Sequence, residues 1–160
     1  MPTPAIPKED AILDRIVAVL AAIAAGTTYW FTPHVSKRYV HWKEYTGEFP
    51  LYMVSLGSGG NREFNSSHNI DETFYASIKG YVKDNVDTAE KILKSFQDIR
   101  VALTAEMESG AAGSLPVIGV LQCRVKDFPD TDDGYLAIDG GLGFFDLRLE
   151  IQINDTTGYI

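Results

Sequence analysis

Apolar residues near the start of the chain fall at Ile12, Leu13, Ile16, Val17, Leu20 and Ile23, steps that draw one stripe along a helix. Asp14 and Arg15 fall off that stripe. Pro7 suits a first helical turn, Glu9 and Asp10 suit the positive end of a helix dipole, and Gly26 is a natural stop. The pattern predicts a helix over about residues 8–25. A second stripe runs through Ala89, Ile92, Phe96, Ile99 and Leu103, and Leu93 widens it. Asp87 and Glu90 have the spacing of a capping box, so this helix should begin at Asp87 and end near Met107. Lys91, Lys94, Gln97, Asp98 and Arg100 fall on its expected wet side.

Elsewhere the period shortens to two. Phe74, Ala76, Ile78 and Val82 alternate with Tyr75, Ser77, Lys79, Tyr81 and Lys83, and Phe145, Leu147, Leu149, Ile151 and Ile153 alternate with Phe144, Asp146, Arg148, Glu150 and Gln152. Each set describes a strand with one packed face and one wetter face. Val117, Leu121, Cys123 and Val125 share a parity after Pro116, Leu51–Leu56 is a short apolar strand, and Val35–Lys43 reads as a strand with large side chains on both faces. Thr27–Phe31 is β-prone but Pro33 soon interrupts it. Two polar stretches separate these elements. Gly57–Asn69 holds three glycines, three serines and three asparagines, and reads as a long surface loop or an extended β-arm. Residues 126–143 form a second excursion, with four aspartates between positions 127 and 133. The expected fold is α+β in a single domain spanning residues 1–160. It has one mixed, mostly antiparallel β-sheet with two main helices packed on one face.

Composition narrows the function. The 160 residues carry a net charge of -8, which repels phosphate backbones at long range and argues against sequence-specific nucleic-acid recognition. The single cysteine excludes an internal disulfide and fits a reducing compartment. Ile16–Gly26 is apolar for only 11 residues, against about 20 needed to span a bilayer, so it reads as a buried helix and no membrane partner is expected.

The chemistry-bearing residues do not gather into a motif. His34, His41 and His68 show no metal-ligand spacing and read as ordinary surface or half-buried histidines. Cys123 lies on the apolar parity of its strand and reads as a small buried hydrophobe. Gly57, Gly59 and Gly60 follow a strand, but the lysine and hydroxyl of a phosphate loop are missing. Asp130, Asp132, Asp133 and Asp139 lack the terminal glutamate of a calcium loop, so a solvated acidic loop is the default. No catalytic residue, metal ligand or cofactor is therefore expected.

The order of segments resembles the tail terminator proteins of long-tailed bacteriophages. The resemblance is carried by AILDRIVAVLAAI at 11–23, PLYMVSLGSGGNRE at 50–63, SIKGYVKD at 77–84 followed by DTAEKILKSFQDIRVAL at 87–103, and FFDLRLEIQIND at 144–155. It implies a structural, non-enzymatic protein of the virion, assembled in the host cytoplasm and placed at the head-proximal end of the tail. Such subunits form a homohexameric ring that caps the tail tube, stops its polymerisation and meets a neck or head-completion protein, while DNA passes through without sequence-specific binding. A neck or tail-completion subunit, another adaptor such as a secretion-tube subunit, and a small enzyme are the alternatives. In a ring, Phe64 of the polar arm is expected to bury against the adjacent subunit, with Arg62 and Glu63 pairing across the same boundary.

Overall fold

The computed structural model describes the backbone of residues 8–66, 69–84, 86–109, 120–127, 135–138 and 141–155. Side chains are described for residues 9–57, 72–84, 86–108 and 141–153. Helix α1 spans Lys8–Ala21 and helix α2 spans Thr88–Ser109. The strands are β1 His34–Ser36, β2 Leu51–Ser66, β3 Asn69–Lys83, β4 Val120–Asp127, β5 Tyr135–Ile138 and β6 Leu142–Asp155. They form one sheet in the order β1-β2-β3-β6-β4, with β5 also paired to β6. Only β1 runs parallel to its neighbour, β2, so the sheet is mixed and mostly antiparallel.

Both expected helices form and both pack on one face of the sheet. Ile12, Ile16 and Leu20 of α1 join Ile92, Phe96, Ile99 and Leu103 of α2 in a core completed by Tyr52, Val54, Ile78, Phe145 and Leu147. The alternation of β3 and β6 is as the period-two pattern requires. Phe74, Ala76, Ile78 and Val82 lie opposite Ile151, Leu149, Leu147 and Gly143, and all of these positions are buried. Gly80 faces Phe145 across the ladder, and a Cβ there would come within 2.2 Å of the Phe145 ring. The missing side chain is what lets that ring lie over the strand and meet Phe96 edge-on, with centroids 5.0 Å apart.

Several expectations need correction. Val35–Lys43 does not form a strand beyond Ser36. Its large side chains instead lay the segment across the face of the sheet opposite the helices. There Val40, Trp42, Tyr45 and Phe49 pack on Leu51, Met53, Tyr81 and Leu142. Helix α1 stops at Ala21, before Gly26. Leu93 does not widen the α2 stripe: it is 64% exposed, because one residue turns the chain about 100° around the helix from Ile92. Asp98, assigned to the wet side, is 1% exposed. The excursion at 126–143 contains a strand, β5, which a four-residue apolar run was too short to announce.

Candidate interface surfaces

The polar arm is strand rather than loop. Of the two readings of Gly57–Asn69, the extended β-arm is the one realised: β2 continues to Ser66 and β3 starts at Asn69. The register pairs Arg62 with Glu72, Glu63 with Asp71 and Phe64 with Ile70. The inner side of the arm's β2 backbone is thus satisfied by β3 within the same chain, so a neighbour is not needed to hold the arm extended. The side chains of Arg62, Glu63 and Phe64 lie outside the described residues. The glycines at 57, 59 and 60, weighed above as a phosphate loop, sit in β2, where the ladder is interrupted: β2 advances from Leu56 to Gly60 while β3 advances only from Ala76 to Phe74. A Cβ at Gly57 would sit 3.0 Å from the Tyr75 carbonyl, so glycine permits the strands to approach closely at this bulge.

The arm leaves one edge of the sheet open. β1 pairs with β2 only from Leu51 to Met53. From Val54 to Ser66 the outer edge of β2 has no strand partner among the described residues. Leu56, at the start of the bulge, is 58% exposed.

The sheet face opposite the helices is polar beyond the part covered by residues 37–50. Ser77 donates a 2.6 Å hydrogen bond to Asp146, and the Lys79 ammonium lies 2.9 Å from the same carboxylate and 3.1 Å from the Ser77 hydroxyl. The Arg148 guanidinium lies 3.8 Å from the Tyr75 ring centroid, a stacked cation–π contact, and Glu150 on this face is buried. This is a network of satisfied charges rather than a reactive cluster.

On the helix side, Asp98 organises the connection from α1 to β1. Its carboxylate accepts hydrogen bonds of 3.0 Å from the backbone N–H groups of Trp30 and Phe31. The Trp30 ring is thereby held outside, 53% exposed, donating to Gln97 and lying under the Lys94 ammonium. No sequence pattern marks this role, because the partners are main-chain groups far away along the chain. Between α1 and α2 lies an open groove of about 330 Å³ lined by Ala18, Ala22, Tyr29 and Ala105 and closed by an ion pair between Arg15 and Glu106.

Among the described residues the chemistry-bearing side chains stay apart. His34 lies 3.9 Å from Glu48 at an exposed edge, and His41 accepts from the Lys43 backbone N–H and stacks on Trp42. The Cys123 backbone pairs with Ile151, but its side chain lies outside the described residues, as do His68 and the aspartates at 130, 132, 133 and 139. Among the described residues no cluster of three or more His, Cys, Asp or Glu could hold a metal ion. No described helix is long and apolar enough to cross a membrane. The buried hydroxyls of Tyr52 and Ser95 have no hydrogen-bond partner among the described residues. Burial drives the Tyr52 phenol far above its ordinary range, so it remains a neutral core group. No protein-family model and no curated protein matches the chain.

Proposed function

We propose that this chain is a ring-forming structural subunit of a phage tail, one that caps the tail tube, ends its growth and joins it to the neck or head. The order of segments that resembles tail terminators supports the reading, and so does the α+β fold that the resemblance implies. The observation that carries it is the outer edge of β2 from Val54 to Ser66, which has no strand partner among the described residues. A long unpaired edge is a hazard for a monomer and a template for strand addition by a neighbour. A ring built head to tail satisfies such an edge on every subunit, because the opposite rim of the sheet presents a different surface. Phe64, with Arg62 and Glu63 beside it, then lies on the strand that receives the neighbour. The net charge of -8 weakens the attraction of a DNA duplex passing through the ring.

The test is electron microscopy of the purified protein, alone and mixed with its tail tubes. Rings seated at one end of tubes of uniform length are expected. A protein that neither forms rings nor binds tube ends refutes the proposal.

A further inference from the structure

The segment joining β1 to β2 is unlike the rest of this acidic chain. Between Lys37 and Tyr45 it reads KRYVHWKEY, basic residues interleaved with aromatic ones. The structure fixes it firmly. The Ser36 hydroxyl donates to the Arg38 carbonyl at 2.9 Å and accepts from the Arg38 N–H at 3.1 Å. The Val40 N–H points at the Met53 sulfur, and Val40, Trp42 and Tyr45 pack against the sheet. Lys37 is taken up by Asp10 and Asp14. What remains outside is a short row of groups. Tyr39 is 55% exposed, and the exposed His41 ring stacks on Trp42 at 5.7 Å with an interplanar angle of 28°. Lys43 is poised over the same indole at 5.3 Å. Arg38 and Lys43 are both exposed, and neither has a carboxylate partner among the described residues.

We infer that this segment is a weak, sequence-tolerant binding site for single-stranded nucleic acid. Arg38 and Lys43 contact successive phosphates, and bases stack on the exposed Tyr39 and His41 rings. Two exposed cations, without a carboxylate partner among the described residues, flanking a rigid aromatic platform are the elements such binding uses. The net charge of -8 does not forbid it. At physiological salt the screening length is about 8 Å, so distant carboxylates weaken encounter without cancelling a local contact. Glu44, exposed in the same turn, opposes binding and keeps it weak. The inference goes beyond the ring proposal and does not depend on it, since it uses the surface of one subunit.

The chain has two tryptophans, and Trp30 lies on the helix side of the sheet, so a Trp30→Phe background leaves Trp42 as the sole indole reporter. Titration of the purified protein with oligo-dT at low salt should quench Trp42, with a log–log salt slope of about -1.4 for two neutralised phosphates. Arg38→Glu with Lys43→Glu should weaken binding at least tenfold, and Glu44→Gln should tighten it severalfold. Lys91→Glu with Lys94→Glu makes the same change in net charge elsewhere and should have little effect. All these side chains except the half-buried Lys91 and Lys94 are exposed, and circular dichroism is the check on the folding of each variant. Four results overturn the assignment: no Trp42 quenching by oligo-dT, equal losses from the two charge-reversal pairs, equal affinity for a DNA duplex, or equal affinity for poly-glutamate.

Discussion

At the scale of single residues, three side chains hold more than their own position. Phe96 is 6% exposed and packs edge-on against Phe145, so Phe96→Ala should lower stability by about 3–5 kcal/mol in denaturant unfolding. A change below about half a kcal/mol would be inconsistent with its place in the core. Asp98 is buried and accepts two backbone N–H groups, so Asp98→Ala should cost about 2–3 kcal/mol and release the loop carrying Trp30. Quenching of Trp30 fluorescence by iodide, measured in a Trp42→Phe background, should rise in step with the loss. Asp84 accepts from the backbone N–H groups of Val86 and Asp87, which hold its carboxyl below the ordinary range, and Lys91 adds to the effect. A depressed folded value means that its contribution is present above the unfolded carboxyl value, near 4, and is lost as pH falls through the folded value. The Asp84→Asn protein should therefore show a shallower loss of stability on acidification below about pH 4. Cys123 carries a prediction from strand parity alone: slow thiol labelling in the folded protein and intact assembly after Cys123→Ala.

At the scale of elements, glycine and capping decide how the layers meet. Gly80→Ala places a methyl against the Phe145 ring, a rigid group wedged between Tyr52 and Phe96, and should cost about 1–3 kcal/mol through overpacking. A thermal melt unchanged by this substitution would mean that the ring has room to move. The start of α2 was legible because its cap is local: the Glu90 N–H donates to the Asp87 carboxylate at 2.9 Å. The faces of β3 and β6 were legible because alternation over many residues leaves one arrangement that buries the apolar set. The segment after Ser36 was not legible as a non-strand. Its β-branched and aromatic residues satisfy strand propensity equally well when they pack flat against another sheet face.

At the scale of the whole molecule, the arm is the element on which the ring proposal turns. From Val54 onward its strand β2 is paired on one side within the chain and has no strand partner on the other among the described residues. Replacing residues 58–67 with a tight turn deprives Asn69–Phe74 of their β2 partners. The shortened protein should melt at a lower temperature than the parent and should fail to form rings. Rings of normal size from a folded, shortened protein would place the subunit contact elsewhere. Restored melting without restored rings, obtained by stabilising the shortened protein at a distant site, would separate the two roles of the arm.

The sequence by itself determined the two helices, the faces of the long strands and the sidedness of the core. These follow from the period of apolar positions, a property of neighbouring residues that needs no knowledge of distant ones. It also left a long polar stretch whose glycines and asparagines were compatible with either loop or strand. Only the tertiary structure decided that this stretch pairs as β2 and β3, that β1 joins the sheet in parallel, and that Asp98 turns inward to hold the Trp30 loop. It also laid Val40, Trp42 and Tyr45 across the face of the sheet opposite the helices, against Leu51, Met53, Tyr81 and Leu142. Backbone pairing and buried hydrogen bonds join residues far apart in the chain, and the one-dimensional pattern carries no record of which distant partner closes each bond.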